Sequence, residues 1–126
     1  KHNGITFCSG SLVVNKKNNL ENIIKKYGEY INFIHLRNII RENKSYNFYE
    51  AHHLEGTFDM VQIIKSLLKE EDKRKKNNKP NNQIPMRPDH GHTILYDQDR
   101  FTIPGYSLLG RMRGLVEIKG IIKSLE

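Results

Sequence analysis

The sequence predicts an α/β fold in which short parallel strands alternate with helices, and three observations predict it. Three segments run in one order: a short apolar stretch, a polar cluster at its C-terminal end, a loop, then apolar residues at helical spacing. Strands recurring with helices between them pair in parallel, because parallel neighbours need a crossover that returns the chain to the same end. The length of 126 residues and 37% hydrophobic content supply one modest core and not two.

The first unit opens with Gly4 to Cys8, followed by Ser9-Gly10-Ser11 and a polar loop to Asn19. Leu20, Ile23, Ile24 and Tyr27 then share one helix face, and Gly28 closes that helix. The second strand covers Tyr30 to Leu36. A long loop runs through Tyr49, and Met60, Ile63, Ile64, Leu67 and Leu68 line one face of the next helix. The third strand covers Gln83 to Arg87, with Pro85 and Pro88 limiting its ladder bonds. After a loop to Pro104-Gly105, the last helix is expected to bury a stripe of Leu108, Met112, Leu115, Ile118, Ile122 and Leu125. Gly110, Gly114 and Gly120 weaken it locally and are expected to let it pack closely on a strand.

Three strands alone make a poor parallel sheet, whereas a closed eightfold barrel typically needs about 250 residues. Residues 1–126 are therefore expected to be the last three βα units of a single TIM (β/α)8 barrel domain whose N-terminal part is absent. The missing part is expected before Lys1, since the chain starts almost directly on a strand and ends with a finished helix.

No apolar stretch approaches the ~20 residues needed to cross a bilayer, and no charged-then-apolar leader is visible. The expectation is a soluble, untargeted chain without a membrane partner. The single cysteine, Cys8, excludes an internal disulfide and suits a reducing compartment, so the cytoplasm is expected. A net charge of +7 raises the alternative of a nucleic-acid-binding module, which makes the location of the charge decisive. Much of it sits in one run, where Lys65, Lys69, Lys73, Arg74, Lys75, Lys76 and Lys79 oppose only Glu70, Glu71 and Asp72. The run has no aromatic residues to stack bases. It reads as a solvated helix end whose lysines complement the negative end of the macrodipole, and no nucleic-acid partner is expected.

In parallel βα architectures, residues at the C-terminal ends of successive strands converge on one side. Those residues here are Cys8, His35 and Asp89. Alone, each is ordinary: a packed thiol, a satisfied histidine and a turn former. Together, a thiolate, an imidazole and a carboxylate form a ligand set of mixed softness suited to Mn, Fe(II) or Zn. A further ligand from an upstream strand is allowed.

The segments FCSGS (Phe7 to Ser11), IHLRN (Ile34 to Asn38), HLEG (His53 to Gly56), DMV (Asp59 to Val61), IPMRPDHGH (Ile84 to His92) and PGYSLLGRMRGL (Pro104 to Leu115) occur in order over almost the whole chain. This pattern resembles the mannonate dehydratase family, and RPDHG with the downstream PGY is its most discriminating pair. The resemblance implies a carbon–oxygen hydro-lyase on a barrel similar to that of xylose isomerase. Its reaction is the dehydration of D-mannonate to 2-dehydro-3-deoxy-D-gluconate in hexuronate catabolism, dependent on a divalent metal, Mn2+ or Fe2+. The family's metal ligands fall on Cys8, His35 and Asp89. A histidine expected earlier in the family has no counterpart, and His2 is too far along the same strand from Cys8 to replace it.

The resemblance also implies that His90 and Tyr106 move the protons, with Tyr106 preferred for abstraction and His90 for assisting hydroxyl departure. The reverse assignment stays open. Arg37 is expected to pair with the substrate carboxylate through its guanidinium fork, with a structural ion pair as the equal alternative. His53 and Glu50 match the family in the second loop, where His53 either lines the substrate pocket or holds the loop; the neighbouring His52 carries no match. His92 is read as a ligand-supporting residue or an exposed loop histidine. The expected partners are the sugar acid and the missing N-terminal barrel half, and a homo-oligomer is allowed. The alternative within enzymes is another sugar conversion on the same barrel, such as aldose–ketose isomerisation, because fold does not determine chemistry. RPDHG with PGY argues against it.

Overall fold

The computed structural model describes residues 3–42 and 46–126; His2 lies outside them. Three strands, β1 (Ile5–Cys8), β2 (Ile31–Leu36) and β5 (Met86–Pro88), form a parallel sheet in the order β1-β2-β5. A second, antiparallel pair joins β3 (Ile39–Arg41) to β4 (Phe48–Glu50). The helices are α1 (Ser9–Val13), α2 (Leu20–Tyr27), α3 (Met60–Lys76) and α4 (Leu108–Leu125). Both the α/β class and the three parallel strands agree with the sequence reading.

Strand register sorts side chains onto two faces, since alternate residues point opposite ways. Phe7, Ile34 and Met86 make one row, with Phe7 and Ile34 fully buried beside Leu20, Ile24, Met60, Ile63, Ile64 and Leu67 in the core. Cys8, His35 and Arg87 make the adjacent row on the other face. The helices thus cover one face and leave the other to polar chemistry.

Side chains satisfy the starts of the three longer helices. Asn19 accepts from the Asn22 N–H (2.8 Å) at α2, and Asp59 accepts from the N–H groups of Val61 (2.8 Å) and Gln62 (3.2 Å) at α3. At α4 the flanking Ser107 gives no side-chain cap; buried Asp97 instead reaches from the preceding loop to the N–H groups of Leu109 (2.7 Å) and Gly110 (3.2 Å).

Several expectations need correction. The expected loop through Tyr49 contains the β3–β4 hairpin, and the loop after Cys8 contains α1. Gly28 does close α2, as expected, with φ −52° rather than in the left-handed region, and it opens a 3-10 turn packed on Glu70, where an added Cβ would lie 2.9 Å from that side chain. The end of α3 is only partly solvated. Arg74 is buried and donates to the carbonyls of Gly28 (2.6 Å), Ile31 (2.7 Å) and Asn81 (3.0 Å), while Glu71 accepts from the Ile84 N–H (2.6 Å).

The stripe expected on α4 holds only in its second half, where Ile118 is buried and Ile122 and Leu125 pack half-buried on the core. Leu108, Met112 and Leu115 are 63%, 51% and 44% exposed, and the buried positions are Gly110, Gly114 and Ile118. The helix approaches its neighbours through glycine: a Cβ at Gly110 would lie 2.0 Å from the His92 carbonyl oxygen, and one at Gly114 would lie 2.4 Å from the His53 ring. These neighbours belong to loops rather than a strand, and Gly120 meets open space. No helix among the described residues is long and apolar enough to cross a membrane.

Candidate metal and proton-transfer site

The parallel ladder brings the C-terminal strand ends together. Cys8 and His35 are direct register partners, and Asp89 follows the last residue of β5, two positions beyond Arg87 and therefore on the same side. One ligand atom from each of Cys8, His35 and Asp89 lies within 4.8 Å of the others. Bonds of about 2.0–2.4 Å from one ion would separate two ligands by no more than about 4.8 Å, so the trio fits a shared divalent ion. His35 Nδ1 stands 4.0 Å from Asp89 Oδ2, and the Ser11 hydroxyl donates to Cys8 Sγ at 3.1 Å. All three are at least partly buried.

Ser9 fixes the relation between the first two strand ends. Its hydroxyl donates to the Arg37 carbonyl (2.7 Å) and accepts from the Arg37 N–H (2.9 Å). This positions the Arg37 side chain, whose Nε lies 3.0 Å from both Glu50 carboxylate oxygens and whose Nη2 also donates to Glu50. Burial alone would raise the Glu50 carboxyl, but the hydrogen bonds and charge of Arg37, followed by His90, outweigh it and hold Glu50 below the usual carboxylate range. The same pairing raises the Arg37 guanidinium above its ordinary value despite burial, with Cys8 adding to the effect.

Glu50 in turn reaches His90, whose Nδ1 lies 3.3 Å from Glu50 Oε1. That is an ion-pairing distance without hydrogen-bond alignment. At its other end, His90 Nε2 stands 4.0 Å from Asp89 Oδ1, facing the ligand trio. Tyr106 meets the His90 ring edge-on at 5.4 Å between centroids. A short bridge between Gly91 and Tyr106 places it there, with the Gly91 N–H donating to the Gly105 carbonyl (3.0 Å). Gly105 has φ +82°, a conformation that L side chains rarely adopt, which accounts for glycine before the tyrosine.

His53 lies apart from this cluster. It is 5% exposed beneath α4 against Gly114, and its carbonyl accepts from Asn38 Nδ2 (2.9 Å). Burial lowers its pKa; Glu117 and a hydrogen bond to the Leu36 backbone oppose that shift, while His52 and Arg113 reinforce it. The His92 ring meets the His52 ring at a 49° tilt, 4.5 Å between centroids. Clefts of about 400 and 690 Å3 open beside Lys69 and Lys73 on α3 and share no lining residue with the trio.

The family model described as D-mannonate dehydratase (UxuA) matches residues 1–126. The chain belongs to the mannonate dehydratase family. A mannonate dehydratase of Marinomonas sp. (strain MWYL1) is 50% identical over 119 residues, covering 94% of this chain and 30% of the relative. One from Rhizobium meliloti (strain 1021) is 46% identical over 125 residues, covering 98% and 31%. The crystal structure of mannonate dehydratase from Streptococcus suis serotype2 superposes with a TM-score of 0.79 at 31% identity, covering 98% of this chain and 33% of that one. The chain thus spans about a third of the length of the mannonate dehydratases it matches.

Sequence reasoning named Cys8, His35, Asp89, His90 and Tyr106, and the structure sets the first three within 4.8 Å of one another, with His90 4.0 Å from Asp89 and Tyr106 against His90. It adds Ser9 and Ser11, which support the strand ends, and Arg87, whose side chain reaches His35 and Asp89. Glu50 carried a signal in its loop match. Arg87 carried one only through RPDHG, with nothing to show which way its side chain points.

Proposed function

We propose that this chain is the C-terminal three βα units of a xylose isomerase-like TIM barrel and contributes metal ligands and proton-transfer residues to a mannonate dehydratase. The completed enzyme is a hydro-lyase that converts D-mannonate to 2-dehydro-3-deoxy-D-gluconate in hexuronate catabolism, with Mn2+ or Fe2+, in the cytoplasm. The observation that carries this reading is the convergence of Cys8, His35 and Asp89 within 4.8 Å, beside His90 and Tyr106, in a chain matched by the family model over residues 1–126.

Cys8, His35 and Asp89 would hold the divalent ion, which would supply Lewis acidity to the reaction. Tyr106, acting as its phenolate, takes the proton from the carbon beside the carboxylate, and the guanidinium of Arg111 lies 5.7 Å from its ring centroid. His90 gives a proton to the departing hydroxyl, which leaves as water. Glu50 backs the ring at Nδ1, so a His90 carrying both protons faces a carboxylate at one end and the reacting group at the other. Loss of a carbon-bound proton and a hydroxyl leaves an enol, and its ketonisation gives the keto-deoxy acid.

Arg37 acts chiefly through Glu50, which occupies most of its fork. Its Nη1, only 3.4 Å from Ser11 Oγ, is the donor it retains for a substrate carboxylate. His53 secures the loop beneath α4 and shapes the pocket from behind.

The test joins this chain to the N-terminal portion of the 50%-identical relative, supplies Mn2+ or Fe2+, and follows keto-deoxy acid formation from D-mannonate. Turnover that chelation removes and metal restores is expected. A folded, metal-loaded protein that leaves mannonate untouched would contradict the reading.

A further inference from the structure

The row across the sheet is Cys8, His35 and Arg87, rather than Cys8, His35 and Asp89. Arg87 is the register partner of His35, and their side chains therefore leave the same face of adjacent strands. Arg87 Nη2 lies 3.1 Å from His35 Nε2 and 3.5 Å from Asp89 Oδ1. A guanidinium has only donors, so His35 Nε2 is the acceptor in this contact and the ring proton sits on Nδ1.

A neutral imidazole carries one in-plane lone pair. Ligation of a divalent ion by Nε2 takes the lone pair that Arg87 uses; ligation by Nδ1 moves the proton to Nε2 and turns that nitrogen into a donor facing a donor. With either nitrogen as ligand, Arg87 and the metal compete for His35. Arg87 is also less committed than Arg37. Arg37 is 14% exposed with both Glu50 oxygens on its fork, whereas Arg87 is 38% exposed and its contact with Asp89 is long. A guanidinium released beside the trio remains within reach of an anion brought to the ion.

We infer that Arg87 is the movable cation of this site: it yields His35 when the metal binds and then takes the carboxylate of the sugar acid. The inference rests on the proposed metal site and deepens it. Arg87 thereby weakens metal binding and strengthens substrate binding, and its release makes metal loading a precondition of full substrate affinity.

Co2+ titration of the completed protein, read by the Cys8 thiolate-to-cobalt absorption, tests the first half. Arg87→Gln should bind Co2+ about tenfold more tightly, or about 1.4 kcal/mol. Arg87→Lys, which keeps the charge but not the planar fork, should fall between, and it guards against a folding defect in the first variant. Titration of the Co2+-loaded proteins with D-mannonate tests the second half, with at least tenfold weaker binding expected for Arg87→Gln. Unchanged or weaker Co2+ binding in both variants would overturn the competition. Tighter Co2+ binding with unaltered mannonate binding would overturn the transfer to substrate. A parent protein with no cobalt–thiolate absorption would overturn the metal site itself, and one that binds Co2+ but not mannonate would overturn the proposed substrate.

Discussion

Glu50 Oε1 lies 3.3 Å from His90 Nδ1 while the same carboxylate receives the fork of Arg37. Arg37 comes from the end of β2, Glu50 from the end of β4 and His90 from the loop after β5. One carboxylate therefore ties three parts of the site together, and it remains charged because Arg37 opposes the cost of its burial.

The first prediction follows from that chain of contacts. In the completed enzyme, His90→Asn and Tyr106→Phe should each lower kcat for mannonate by at least about 100-fold, the usual scale for a lost acid or base, while metal content stays near the parent value. Glu50→Gln keeps the shape but removes the charge beside His90, and it should lower kcat less while altering the pH profile. Elemental analysis beside steady-state kinetics checks this. Equal loss of metal in all three would make them structural residues.

Acid sensitivity should come early. Burial lowers the His53 pKa in the fold, so the unfolded chain, with an ordinary value of about 6.5, binds the proton more readily. Stability from this group is fully present above about pH 6.5 and is lost as pH falls from there toward the depressed folded value. The contribution of Glu50, whose folded pKa is also lowered, disappears only at lower pH, as acidification protonates the carboxylate. Urea midpoints of the completed protein should fall between pH 7.5 and 5.5, and fall less in His53→Gln. Parallel pH slopes in the two proteins would remove His53 from this role.

Crowding at α4 gives a third prediction. Gly114→Ala would place a Cβ 2.4 Å from the buried His53 ring and should destabilise by about 1–3 kcal/mol, measured by urea unfolding. Gly120→Ala, which meets open space, should instead be neutral or stabilising, because alanine favours helix. Equal effects at the two positions would contradict the packing.

These glycines also mark where the sequence was legible. Apolar periodicity located α3 well, because Met60, Ile63, Ile64 and Leu67 face a core of their own kind. It misread the first half of α4, whose closest approach runs through Gly110 and Gly114, where absence of a side chain is the signal, and placed only Ile118, Ile122 and Leu125 on the core side. The strand ends were legible for a related reason: parallel register places Cys8 and His35 side by side without knowledge of the loops. Arg87 was not, since only the register shows that it shares their row. The β3–β4 hairpin escaped notice because two three-residue strands are too short for alternation to stand out.

Expressed alone, the 126-residue chain should self-associate and lack dehydratase activity. β1 and β5 are the outer strands of the three-stranded sheet, and open edges pair with other chains. Phe101, Leu95, Val116 and Leu108, each more than 60% exposed, add apolar surface. Light scattering and mannonate turnover check both points, and a monodisperse monomer with turnover would contradict them.

X-ray absorption at the metal edge of Zn2+-loaded completed protein tests the central claim most directly. One sulfur neighbour is expected at about 2.3 Å beside nitrogen and oxygen neighbours at about 2.0–2.2 Å, with the sulfur lost in Cys8→Ser. A shell of nitrogen and oxygen alone in the parent protein, or a spectrum that Cys8→Ser leaves unchanged, would show that Cys8, His35 and Asp89 do not share an ion.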